Sequence, residues 1–212
     1  MMEKGTAPER PGRLAMTTVG TIVFAGDSIT EAGRWAEWFP DHETHNLGAG
    51  GDTTDHLLAR LSEIVDLDPD AVVLLIGTND LAWRRSVEHV VRTIETILVT
   101  LRKALPETRI LLQSVIPRGA EYAESIQEIN RHLWQFAPTV RAQYLDLWPV
   151  LSSDGTAIDS VFSDDELHLT DAGYEAWLAA LRPAIDALDA LPPITRPIVL
   201  PVDHYERPRR GF

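Results

Sequence analysis

Ser28 stands in Gly26-Asp27-Ser28-Ile29-Thr30, directly after the β-branched run Thr21-Ile22-Val23-Phe24-Ala25. A serine hydroxyl becomes a nucleophile when a base takes its proton, and a place just past a strand, beside glycine, exposes Oγ to a substrate. His168 is the candidate base. Asp165 lies three residues before it, and in a turn that spacing sets a carboxylate on one ring nitrogen, where it fixes the tautomer and stabilises the imidazolium. Asp164 and Glu166 are rival carboxylates on the same footing. His42, His45, His56, His89, His132 and His204 have no comparable surroundings and read as surface or packing residues.

Acyl transfer through a serine also needs donors for the oxyanion of the tetrahedral intermediate, each worth a few kcal/mol. Gly51, preceded by Gly48 and Gly50, can aim a backbone N–H into a site with no side chain in the way. Asn79, in Gly77-Thr78-Asn79-Asp80, can offer its side-chain amide, and the Ser28 backbone N–H is a third donor. Asp27, Asp52 and Asp80 read as loop braces. Each block also has a plainer reading: Ser28 as a helix cap, the Asp-x-x-His pair as a surface ion pair, the glycines as a tight turn. A second chemistry is also open, with Asp27, Asp52, Asp80 and His168 holding a metal in a phosphoesterase.

The elements that must position these residues alternate. Strands are expected over 21–25, 45–47, 71–76, 109–115 and 143–147, the third being the unbroken apolar run AVVLLI of a strand covered on both faces. Helices are expected over 53–65, 86–105, 123–136 and 170–188, with Thr170 as the cap of the last. Such alternation implies a parallel sheet with helices on both sides, and sites in these sheets lie at the carboxyl ends of the strands. Ser28, Gly51 and Asn79 follow the first, second and third strands, so all three should face one edge.

The chain has 212 residues, no cysteine and a formal charge of −13. One domain is expected, and thiolate catalysis, disulfides and cysteine-based metal sites are excluded. An anionic body repels phosphate backbones and acidic membranes, so no nucleic-acid or membrane partner is expected. Residues 1–18 read as a flexible polar segment without a targeting signal, 19–189 as the folded domain, and 190–212 as an extended tail held out of helix by Pro192, Pro193, Pro197, Pro201 and Pro208. A cytoplasmic location is the default expectation.

Read together, the blocks resemble the SGNH (GDSL-type) hydrolases, a superfamily named for its Ser, Gly, Asn and His blocks. The matching positions are Ser28, Gly51, Asn79 and His168, and the resemblance runs from about Thr21 to Pro183. Within it, Asn46-x-Gly-x-Gly-Gly-Asp-Thr-Thr54, Gly77-Thr-Asn79, Pro117-Arg118-Gly119 and Leu167-His-Leu-Thr170 with Gly173-Tyr174 look like the platelet-activating-factor acetylhydrolase catalytic subunits and their bacterial relatives. The resemblance implies a three-layer α/β/α, flavodoxin-like fold on a five-stranded parallel sheet. It selects Asp165 as the third member of a Ser28–His168–Asp165 triad. It implies a metal-free esterase without cofactor that removes short acyl groups such as acetyl and forms a homodimer; an acetylated sugar or another small ester is the expected substrate. Trp35, Trp83, Pro117, Arg118 and Leu167 are the expected substrate-lining residues, while Trp148 reads as packing. A lysophospholipase or thioesterase acting on longer chains, and a non-catalytic binding module on the same fold, are the alternatives.

Overall fold

The computed structural model describes residues 20–190, so both terminal segments expected from the sequence lie outside the described residues. In chain order the elements are β1 (Thr21–Gly26), α1 (Ser28–Glu31), α2 (Trp35–Trp38), β2 (Glu43–Gly48), α3 (Thr54–Ala59), α4 (Leu61–Leu67), β3 (Ala71–Leu75), α5 (Thr78–Ala82), α6 (Val87–Ala104), β4 (Arg109–Gln113), α7 (Ala123–Phe136), β5 (Ala142–Leu145), α8 (Trp148–Leu151) and α9 (Asp171–Ala190). The strands form one sheet in the order β2-β1-β3-β4-β5, and every pair is parallel. This is the flavodoxin-like order, with a topological switch where β1 meets β3.

Side-chain alternation divides the core between the two faces. Val23, Ala25, Val72, Leu74, Ile110 and Leu112 point to one face, where α3, α4, α6 and α7 supply Leu57, Leu61, Ile94, Leu98 and Ile129. Ile22, Phe24, Val73, Leu75 and Leu111 point to the other, met by Ile29, Trp35, Leu151, Trp177 and Leu181. β3 is buried along its whole length, as its apolar run requires. α6 begins at its Ser86 cap, which accepts from the His89 amide, and its buried residues keep the helical spacing that marked it in the sequence.

Two expectations need correction. The helix expected over 53–65 is two helices, α3 and α4, broken at Arg60. Arg60 has φ −112° and ψ 20°, and its guanidinium turns back to the sheet edge instead of lying along a helix. Leu57, Leu61 and Ile64 are all buried in the same cluster, so the apolar spacing runs unbroken across the bend. β2 is also longer than expected: it starts at Glu43, because its pairing with β1 extends through polar residues that carry no strand signature.

The strand ends meet tightly. Gly26 sits opposite Gly48 on one side and Leu75 on the other. A Cβ on Gly26 would lie 2.2 Å from the Leu75 carbonyl oxygen and 2.3 Å from Thr30 Oγ1. One on Gly48 would lie 2.1 Å from the Glu31 amide nitrogen. The Leu75 and Glu31 contacts are with backbone, and neither can relax by a rotamer change. Gly26→Ala should therefore lower the unfolding free energy by about 3 kcal/mol or more, read as a fall in urea midpoint. A change within experimental error would mean that the β1 end can shift to make room.

Candidate active site

Asp27 follows the last residue of β1, and its Oδ1 accepts the Ile29 amide at 3.0 Å. That cap starts α1 at Ser28 and leaves the serine half-buried at the carboxyl edge of the sheet. Ser28 Oγ lies 3.2 Å from His168 Nε2. His168 comes from the loop before α9, 140 positions along the chain from Ser28.

That loop builds its own geometry. Asp165 Oδ2 is 2.7 Å from His168 Nδ1. Its Oδ1 accepts the backbone amides of Leu167 at 3.0 Å and His168 at 2.7 Å. Ser163 Oγ also accepts from Leu167, at 3.0 Å. The turn is closed by Glu166 at φ +62°, so Asp165 and not Asp164 or Glu166 receives the imidazole. Thr170 Oγ1 then accepts the Gly173 amide at the start of α9, the expected cap. One turn into α9, the Tyr174 hydroxyl donates to the Ile29 carbonyl at 2.7 Å and ties the loop to the helix that carries Ser28.

The remaining blocks arrive from β2 and β3. Gly51 has φ +79° within a turn closed by the Asp52 amide on the Ala49 carbonyl at 3.1 Å. Asn79 Nδ2 donates to the Asp52 carbonyl at 2.9 Å, which uses one of its two N–H bonds and joins its block to that of Gly51. Asp80 accepts from both the amide and the hydroxyl of Thr54, at 2.9 and 2.7 Å. Asp52 binds Arg60 Nε at 2.8 Å. Asp27, Asp52 and Asp80 thus all brace loops, as expected.

The acids differ in electrostatics. Burial pushes the Asp27 carboxyl up to about 7, against the opposing pull of the Ile29 amide and His168. Its Oδ2 is buried without a hydrogen-bond partner among the described residues. Burial also raises Asp80 against its Thr54 bonds. Asp165 goes the other way: hydrogen bonds from the His168 ring and amide hold it well below the usual carboxylate range. Burial and the neighbouring Asp27 charge push the Tyr174 phenol up to about 12, so it stays a donor. The metal-phosphoesterase arrangement is not what these residues form, because Asp52 and Asp80 are committed to Arg60 and Thr54. Among the described residues no three His, Asp or Glu side chains converge on one point.

The expected lining residues divide. Trp83 is 67% exposed, meets the His56 ring edge-on at 6.4 Å, and donates its amide to the Asn79 carbonyl one helical turn back. Leu167 is half-buried and packs on the second-face core. Trp35 is a correction. It is only 2% exposed, stacks on Phe24 at 4.0 Å and donates Nε1 to the Thr30 carbonyl, so it is core beneath Ser28 and not a substrate wall. Pro117 is buried and presents little surface. Arg118 donates to the Thr78 carbonyl at 3.2 Å and lies over the Tyr122 ring at 4.0 Å, which engages it in bracing the loop before Asn79.

Two positioning residues escaped the sequence reading. Arg60 Nη2 donates to the carbonyls of Gly26 and Leu47 while Nε holds Asp52, so one side chain gathers the ends of β1 and β2. Ser163 props the histidine loop. Neither has a spacing that announces it.

The chain matches the model of the GDSL-like lipase/acylhydrolase family over residues 24–176. It is 33% identical over 173 residues to platelet-activating factor acetylhydrolase IB subunit alpha1 of Rattus norvegicus, covering 76% of this chain and 73% of that one. Among solved structures, a GDSL-like lipase of Bacteroides thetaiotaomicron superposes with a TM-score of 0.68 at 24% identity, over 81% of this chain and 89% of the other. An acetylxylan esterase of Geobacillus stearothermophilus superposes with a TM-score of 0.68 at 19% identity, over 80% of this chain and 96% of the other. These last two are likenesses of fold.

The Asp27 environment has a pH signature. A carboxyl raised from its unfolded value near 4 to about 7 destabilises the folded state progressively as pH rises through that window, and not below it. Asp27→Asn keeps an acceptor for Ile29 and removes the charge. The urea stability of the variant relative to wild type should climb between about pH 4 and pH 7 and reach a gain of up to about 4 kcal/mol. Parallel profiles would mean that Asp27 ionises like a solvated carboxylate.

Proposed function

The chain belongs to the GDSL-like lipase/acylhydrolase family and is a carboxylic ester hydrolase, and from that premise we propose that it removes short acyl groups, acetyl above all, through an acyl-enzyme on Ser28. The observation that carries this reading is the hydrogen-bonded chain from Ser28 Oγ through His168 to Asp165, 3.2 and 2.7 Å long. His168 takes the Ser28 proton as Oγ attacks the ester carbonyl. Asp165 holds Nδ1 protonated and balances the imidazolium. The amides of Ser28 and Gly51 and the second N–H of Asn79 receive the oxyanion. His168 then gives its proton to the leaving alcohol, and water activated by the same imidazole releases the acid.

Two things support short acyl chains. The curated relative is by its name an acetylhydrolase, and the acetylxylan esterase shares the fold. Trp83 caps the end of α5 and bonds its amide to the Asn79 carbonyl, and its exposed indole offers a flat apolar wall for a small acyl group or a sugar ring. The substrate is an acetylated sugar or another small ester. A homodimer is the assembly we propose with it, and no described helix is long and apolar enough to cross a membrane.

A fluorophosphonate probe should label Ser28 and nothing else, and Ser28→Ala should lose both labelling and hydrolysis of p-nitrophenyl acetate. Alanine protein with wild-type turnover would end the serine mechanism. Asn79→Ala should lower kcat by about 10²–10³, with Ser28 still labelled. In a series of p-nitrophenyl esters, kcat/KM should peak at acetate or butyrate. A peak at acyl chains of octanoate length or beyond would replace this reading with a lysophospholipase or thioesterase.

A further inference from the structure

On the side of the sheet away from Ser28 lies a groove of about 910 Å3 between α7 and β5 that ester hydrolysis does not use. Trp134, Pro138, Tyr144 and Trp148 give it an apolar lining, and Trp134 is 59% exposed. β5 pairs with β4 and, among the described residues, with no other strand, so its outer edge is an unfilled ladder. The Trp148 indole Nε1 is buried with no acceptor among the described residues. The groove continues into a second hollow of about 570 Å3, which shares Gln127 and Arg131 with it and adds Glu124 and Glu128. An aromatic trench beside an open strand edge thus runs on into a hollow with two carboxylates against one guanidinium, that of Arg131, 3.8 Å from Glu128.

Rings of tryptophan and tyrosine beside an open edge recognise an extended, proline-bearing peptide, whose backbone makes no internal hydrogen bonds and whose pyrrolidine rings lie flat on aromatic faces. This chain carries such a segment. Beyond the described residues stand Pro197-Ile198-Val199-Leu200-Pro201 and then Arg207, Arg209 and Arg210, and residues 190–212 have a net charge of +2 in a chain of −13. The order of its parts matches the order of the trench, apolar with proline first and basic second. The reach matches as well. α9 packs over β4 and β5 on the opposite face and ends at Ala190. Rounding the sheet edge from one helical layer to the other takes about 20 Å, or about six extended residues at 3.1–3.3 Å each, which brings Pro197 to the groove.

We propose that the C-terminal segment of the same chain docks in this groove, with Pro197–Pro201 laid along β5 against Trp134 and Tyr144, and Arg207–Arg210 over Glu124 and Glu128. A strand bearing proline at both ends closes a sheet edge and offers no regular ladder to another chain. The proposal does not depend on the esterase reading.

The absence of cysteine makes the test direct. Val202→Cys gives a single attachment point for bimane, whose emission indole quenches on contact. A tethered segment has an effective concentration near millimolar, so even millimolar intrinsic affinity keeps about half of it docked. Adding Trp134→Phe should then raise emission about twofold or more, while hydrolysis of p-nitrophenyl acetate and the circular dichroism spectrum stay as they were. Reversing Arg207, Arg209 and Arg210 to glutamate should raise emission at low salt, and the quenching in the parent should not change with protein concentration. Unchanged emission on Trp134→Phe would overturn the docking. Quenching that disappears on dilution would overturn the intramolecular seat and assign the segment to a second copy.

Discussion

The carboxyl end of β1 has no room for a side chain, and the site is built on that crowding. Gly26 and Gly48 bring the ends of two strands and the first turn of α1 into backbone contact. Asp27 then caps α1 from inside the protein, and Ser28 has nowhere to go but the sheet edge. Arg60 locks the arrangement by holding the carbonyls that end β1 and β2. Carbonyls at the ends of parallel strands run short of ladder donors, and that of Gly26 has otherwise only the Ala49 amide, at 3.1 Å. A guanidinium with donors in a fixed fork satisfies two of them and an aspartate at once, and the bend between α3 and α4 is what allows it to reach them.

The two halves of the candidate machinery are made differently. The nucleophile half is assembled from three strand ends and depends on sheet register. The base half is local: Asp165, Ser163 and the backbone amides of Leu167 and His168 define the His168 turn within six residues. The side chains of His168 and Asp165 are about half exposed, 53% and 54%, so their precision comes from hydrogen bonds rather than packing. Tyr174 to Ile29 and Ser28 to His168 are the hydrogen bonds that join the halves. The low proton affinity of Asp165 follows from the donors its turn directs at it.

Much of this was legible in the sequence, for identifiable reasons. β3 and α6 announce themselves because burial on both faces or along one stripe leaves an unbroken apolar pattern. The convergence of Ser28, Gly51 and Asn79 on one edge follows from parallel strands alone. The choice of Asp165 over Asp164 and Glu166 came from the resemblance and not from spacing, because carboxylates two, three or four residues before a histidine can each meet its ring in some turn, and the turn at Glu166 is what separates them. Trp35 was misread because a tryptophan near a motif looks the same whether it lines a pocket or floors it. The short helices α1, α2, α5 and α8 span only four or five residues each, too few for a period to show. The break at Arg60 was hidden because both helices keep their apolar face on one core.

The separation of Ser28 from His168 by 140 positions has a meaning in time as well as in space. On a ribosome the serine, its cap and its glycine partners are made early, and the imidazole comes near the end. At about 5–20 residues per second, about 7–28 s separate the addition of Ser28 from that of His168. On the proposed mechanism Ser28 therefore has no base while that stretch is being made, and the pair comes together only once α9 has packed on the sheet, where the Tyr174 hydroxyl meets the Ile29 carbonyl.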